Sequence, residues 1–107
     1  NAAAARAVIG ARITPVTALD LRLVGVLFHR NGSPIDSGAG AAVLGNPASC
    51  VAWLANRLGS LGDGLRAGDV VLPGALHRMV PARAGDFFHA DFAHLGSVSV
   101  GFSEVAA

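Results

Sequence analysis

The sequence predicts an α+β fold, mostly β, with one helix inserted at about residues 47–60. Three observations carry this. Short apolar runs alternating at period two recur along the chain, most plainly in Leu19 to Arg30 and Ser97 to Phe102. Asn31-Gly32 follows the first of these runs and is the strongest short hairpin signal, because a type I′ turn needs positive φ at both central residues. Only Asn46 to Leu61 combines helical spacing of apolar residues with a recognisable start.

Taken in order, residues 6–13 (RAVIGARI) are short, apolar and β-branched and predict a strand, which Thr14-Pro15 ends. Residues 20–30 (DLRLVGVLFHR) predict the clearest strand. Its ends alternate and its middle is apolar on both faces, as in a central strand covered on both sides. After Asn31-Gly32 the chain should return antiparallel through Ser33 to Ser37, with Pro34 marking an edge. Gly38 to Ala42 has almost no side-chain volume, so another backbone or a ligand can approach it closely. Asn46 then reads as an N-cap and Pro47 as N1, where the missing N–H costs nothing. Val51, Leu54, Ala55, Leu58 and Leu61 follow at helical spacing, and Gly59 or Gly62 ends the helix near Ser60. Gly62 to Gly68 is a loop, Asp69 to Leu72 a buried strand stopped by Pro73-Gly74, and Met79 to Ala82 a further extended piece. Phe87 to Phe92 and Ser97 to Phe102 form a terminal hairpin closed by residues 93–96.

The 107 residues support one domain. They are 52% hydrophobic and 14% charged, against a usual charged share of about 25%, and the mean hydropathy is +0.53. No apolar run approaches the ~18 residues of a membrane span. The excess apolarity therefore predicts burial against other protein, in an oligomer or a larger domain. The Ala-rich start, NAAAARAVIG, lacks the charged region and cleavage motif of a signal peptide and reads as an entry into structure or as an Ala-rich helix or tail. A net charge of +1 gives no electrostatic argument for nucleic acid or membrane. All eight basic residues are Arg, which excludes lysine chemistry from this chain. Cys50 is alone, so there is no internal disulfide and no cysteine cluster for zinc, and a cytoplasmic location is expected.

The search for chemistry yields little. His89 and Asp91 share a strand face and His94 lies across a turn; a metal site of these three is one reading, and a solvated hairpin rim is the better one. His29 reads as a surface strand residue. His77, just past the Pro-Gly break, is a candidate for a pocket role. Ser37 has no sequence neighbour to activate it as a nucleophile, but its hydroxyl suits a ligand hydrogen bond. Gly38-Ala39-Gly40 does not complete a dinucleotide fingerprint, since the next glycine falls at Gly45.

The blocks SGAGAAVLGNPASCVAWLANRL, LRAGDVVLPGAL and VPARAGDFFHADFAHLGSVSVGF together resemble the C-terminal half of bacterial 2-hydroxypenta-2,4-dienoate hydratases (2-keto-4-pentenoate hydratases), in the fumarylacetoacetate hydrolase superfamily. The resemblance covers nearly the whole chain in order. It implies residues 1–107 as the C-terminal part of a single catalytic domain whose N-terminal half is absent, with the mixed sheet or β-roll of that domain type. It implies a hydro-lyase that adds water to 2-hydroxypenta-2,4-dienoate to give 4-hydroxy-2-oxopentanoate, a step in meta-cleavage breakdown of aromatics or steroids. A 4-oxalocrotonate-type decarboxylase or an acylpyruvate hydrolase is the alternative, and a non-catalytic structural fragment is the reading for the chain as it stands. The implied cofactor is Mg²⁺ or Mn²⁺, held by Glu residues of the missing half, where the family's catalytic Lys also lies. The resemblance thus leaves this chain with no catalytic residue and no metal ligand. What it carries over is Ser37 and Gly38, with Gly74, Ala75 and Leu76, as pocket wall or contacts to the substrate carboxylate. Many superfamily members have a hydroxyl residue where Ala75 stands. The implied partners are a small 2-hydroxy-dienoate or 2-oxo acid, the missing N-terminal half and further copies of the chain; neither nucleic acid nor membrane is implied.

Overall fold

The computed structural model describes residues 6–104. Half of the Ala-rich start, residues 1–5, lies outside them. Four strands form one sheet: β1 (Gly25–Arg30), β2 (Ser33–Ala39), β3 (Phe87–Phe92) and β4 (Gly96–Gly101). One helix, α1 (Pro47–Ser60), stands in the long excursion between β2 and β3. The spatial order is β2-β1-β3-β4, and every described pairing is antiparallel. The α+β, mostly β class therefore holds, while the sheet itself contains no parallel pair among the described residues.

Asn31 and Gly32 turn β1 into β2 with φ of 52° and 83°, the left-handed pair that a two-residue hairpin requires. Asn31 also stitches in the third strand. Its backbone N–H donates to the Phe87 carbonyl at 2.8 Å, and its side-chain oxygen accepts the Phe87 N–H at 2.8 Å. Its amide Nδ2 donates to Asp86 Oδ1 at 3.0 Å. Pro34 lies on β2, an edge of the sheet, where no further strand needs its missing donor. The register slips beside it, between Phe28 and His29.

The helix follows its sequence signals. Asn46 Oδ1 accepts the Ala48 N–H at 2.9 Å, with Pro47 in the first turn. At the other end, Gly62 (φ 79°) donates to the Gly59 carbonyl and Asp63 to the Leu58 carbonyl, which is a Schellman closure.

Three expected strands are not there. Residues 6–13, Asp69 to Leu72 and Met79 to Ala82 pair with no strand in the described chain. Nor is the second of these buried: Val70 is 66% exposed. Apolar, β-branched composition favours extended backbone, but a strand needs a partner ladder, and no described segment supplies one. The first half of the 20–30 strand is corrected too. Asp20 accepts the Arg22 N–H and grips its guanidinium, so Leu21–Leu23 closes into one turn of 3-10 helix before β1 begins.

The core is one face of the sheet. Val24, Val26, Val43, Phe88 and Ala90 are its buried apolar residues. Phe28 stacks on Phe88 at 5.4 Å between centroids, and Phe102 meets Phe88 edge-on at 5.7 Å. The opposite face is open, with Leu27 43% exposed, so β1 is central in order but covered on one side only. No residue of α1 is buried, and Trp53 stands out of it. No helix among the described residues is long and apolar enough to cross a membrane.

Candidate functional site

Strand alternation sorts the candidate residues onto two faces. Val26 is paired with Gly38 and Phe28 with Asp36, so these four address the core face. Leu27 is paired with Ser37 and with Asp91, which places Ser37 on the open face. A segment from the excursion crosses β2 on the core side. A Cβ built on Gly38 would lie 2.1 Å from the Leu76 carbonyl oxygen, so the two backbones meet where only glycine fits. Two residues away on each chain, Arg78 Nε lies 3.5 Å from Asp36 Oδ2. Residue 38 thus faces 76 and residue 36 faces 78: the segment runs antiparallel to β2. Gly74 (φ 153°) sits where a Cβ would come within 3.3 Å of Val43.

This crossing closes one side of a cavity of about 380 Å³, a volume within the usual range for small-molecule sites. Its floor is Val26 and Phe28 from β1 with Phe88, Ala90 and Phe92 from β3. Val100 and Phe102 extend it, and Ala75 through Val80 form the wall. Of the five residues expected at a pocket, Ala75 and Leu76 line this cavity. Gly38 lies beneath the Leu76 crossing, Gly74 stands at the head of the wall, and Ser37 does not reach the cavity. His77 lines it, stacked on Phe28 at 4.6 Å, with Nδ1 donating to the Arg78 carbonyl at 2.7 Å.

Arg78 and Asp36 were not legible as site residues from motifs. One signal did exist: between residues 70 and 82 Arg78 is the only charged residue.

The open face carries a second polar group. His89 Nε2 lies 2.9 Å from Asp91 Oδ1, and its Nδ1 contacts Ser99 Oγ. His29 Nδ1 is 3.8 Å from Asp91 Oδ2 and takes no hydrogen bond. The Asp91 side chain is 54% exposed, so these residues form a hydrated sheet face. His94 is not with them; it lies on the β3–β4 turn at φ 65° and lines a separate cavity with Arg12 and Asp20. Among the described residues no group of three or more His, Cys, Asp or Glu is placed to hold a metal ion. The described residues therefore do not by themselves supply a divalent-cation centre.

Residues 2–102 match the family described as fumarylacetoacetate (FAA) hydrolase C-terminal. The chain is 45% identical over 102 residues to the 2-oxo-hept-4-ene-1,7-dioate hydratase of Escherichia coli, covering 95% of this chain and 38% of that protein. It is 43% identical over 102 residues to the 2-keto-4-pentenoate hydratase of Paraburkholderia xenovorans (strain LB400), with the same 95% and 38% coverage. Among solved structures it resembles the 4-oxalocrotonate decarboxylase from Pseudomonas putida G7 complexed with calcium and acetate, at 42% identity and a TM-score of 0.82, over 87% of this chain and 36% of that one. The same decarboxylase complexed with magnesium and adipate gives the same identity and TM-score. The chain thus spans under two-fifths of the length of these relatives. With nearly its whole length matched, the chain belongs to the fumarylacetoacetate hydrolase C-terminal family.

Proposed function

We propose that the chain is the C-terminal part of the catalytic domain of a hydratase acting on 2-hydroxy-2,4-dienoates, of which 2-hydroxypenta-2,4-dienoate is the simplest. The observation that carries this is the apolar cavity beneath the β2 crossing. Its floor of aliphatic and aromatic side chains suits a flat conjugated carbon chain. Its wall begins at Gly74-Ala75-Leu76, whose N–H groups enter no backbone hydrogen bond among the described residues. Those donors suit the substrate's carboxylate. Gly38 serves by its lack of a side chain, which lets Leu76 come down over the sheet. Ser37, on the open face, fixes Asp36 through its backbone N–H.

Relatives named as hydratases at 43–45% identity support the class of reaction. The calcium and magnesium complexes of the related decarboxylase support a divalent cation, Mg²⁺ or Mn²⁺ in the whole protein, with ligands outside this chain. The exposed Leu44, Trp53 and Leu61 support assembly with further copies. We place the protein in the cytoplasm and the reaction in the catabolism of aromatic compounds.

The decarboxylase reading is the second one, favoured by the 0.82 TM-score to that enzyme. The test is product analysis on the full-length protein supplied with Mg²⁺ or Mn²⁺. Formation of 4-hydroxy-2-oxopentanoate from 2-hydroxypenta-2,4-dienoate is expected. Release of CO₂ from a 2-oxo dicarboxylate without hydration would transfer the assignment to the decarboxylase. Absence of turnover with either substrate would reject both.

A further inference from the structure

We propose that Arg78 recognises a second carboxylate, at the end of the substrate remote from the 2-hydroxy acid, so that the enzyme favours unsaturated dicarboxylates over monocarboxylates. This deepens the hydratase reading and rests on it.

Of the side chains lining the cavity, only His77 and Arg78 are polar, and Arg78 alone always carries charge. An aliphatic or conjugated chain ending in a carboxylate would use both the floor and the guanidinium. The wall supplies the direction. The donors suited to the first carboxylate lie at Ala75 and Leu76, and Arg78 follows along the same wall.

The guanidinium is held in a way that leaves its fork available. Asp36 meets it at Nε, on the core face of β2. Asp36 is itself fixed, accepting the Ser37 N–H at 2.8 Å. The side chain of Arg78 is 82% exposed, and its terminal nitrogens make no hydrogen bond among the described residues. A tether at Nε orients the two terminal donors, which is the arrangement that grips a carboxylate bidentately.

The local charge also favours an anion. Arg30 and Arg78 together line a shallow depression beside the cavity. Arg30, Arg78 and Arg83 against Asp36 and Asp86 leave the surroundings net positive. His77 positions Arg78: its Nδ1–H holds the Arg78 carbonyl, and its ring is fixed on Phe28.

The test uses the full-length protein with Arg78→Met and Arg78→Lys. For each, kcat/KM is measured on 2-hydroxypenta-2,4-dienoate and on 2-hydroxyhexa-2,4-dienedioate. Equilibrium binding of adipate and of hexanoate, which do not react, is measured beside it. The ratio of dicarboxylate to monocarboxylate kcat/KM should fall about 10- to 100-fold in Arg78→Met, the worth of a charge-assisted hydrogen bond. Arg78→Lys should recover part of that ratio, since it keeps the charge and loses the fork. Adipate should lose affinity relative to hexanoate by a similar factor. Equal losses on both substrates, or an adipate preference indifferent to Arg78, would overturn the proposal. If neither dienoate is turned over, the hydratase reading fails, and the adipate-to-hexanoate comparison still decides the Arg78 subsite.

Discussion

Gly38→Ala tests the crossing that shapes the cavity. The added methyl would lie 2.1 Å from the Leu76 oxygen, 2.7 Å from the Leu76 carbonyl carbon and 3.2 Å from Leu76 Cβ. Two of these neighbours are backbone, so no rotamer change relieves the contact. The crossing segment must lift by roughly an ångström, and overpacking of this kind costs about 1–3 kcal/mol. Gly38 does not need a left-handed backbone. Replacing it therefore returns about 0.4–1 kcal/mol by restricting the unfolded chain. The net is a loss of about 1–2 kcal/mol, which in a domain near this size lowers Tm by roughly 5–15 °C. Circular dichroism melts and urea titration read both quantities. Two further glycines calibrate them. A Cβ on Gly40 would meet the Leu21 oxygen at 1.7 Å, so Gly40→Ala should be worse. Gly59 lies in α1 with nothing within 4 Å of its would-be Cβ, and Gly59→Ala should stabilise by about 0.5–1 kcal/mol. A Gly38→Ala protein as stable as the parent would refute the close crossing and the cavity wall built on it.

Asn31→Ala removes two side-chain hydrogen bonds and puts alanine at φ 52°, so a loss of about 1–3 kcal/mol in urea titration is expected, partly recovered by Asn31→Gly. The Asn31 amide, and then the Arg83 N–H, hold the Asp86 carboxyl below the usual carboxylate range, with Arg30 and Arg83 adding attraction. Because the folded value is the lower one, the stabilisation is complete above the ordinary value near ~3.9 and is lost as pH falls through the folded value. Thermal melts of Asp86→Asn between neutrality and about pH 2 should show a flatter acid limb than the parent; parallel limbs would reject this origin of acid sensitivity. Asn46→Ala deletes the N-cap bond to Ala48 and should cost about 0.5–2 kcal/mol, read as an earlier urea midpoint with a smaller helical signal.

The elements legible in the sequence were those whose signal is local. Asn31-Gly32, Asn46-Pro47 and Gly62 each specify a backbone conformation or a cap within a few residues, and each lies where its chemistry places it. Ser97 to Gly101 alternates because one face of β4 meets the core and the other does not. The missed strands carry the opposite lesson. Residues 6–13, 69–72 and 79–82 are apolar because they suit burial, and composition does not say which surface provides it. In the described chain Ile13 is 94% exposed and Met79 87%. Asp20 failed as a strand residue for a different reason. Its carboxylate captures the Arg22 backbone and side chain, and that local bond outcompetes a ladder that had yet to begin.

The site was half legible, and the division is physical. A Gly-Ala segment with almost no side-chain volume announces that another backbone can approach, but it does not name that backbone. The structure supplies it in Leu76, and with it a consequence no local motif contains. Once residue 38 faces residue 76 and the strands run opposite ways, residue 36 must face residue 78. Alternation then puts Asp36 and Gly38 on the cavity side and Ser37 on the other. The hydroxyl that looked best suited to a ligand is thereby turned away, and an arginine that matched no motif is brought to the cavity wall. The same glycine that makes the crossing possible decides which polar groups stand beside the cavity.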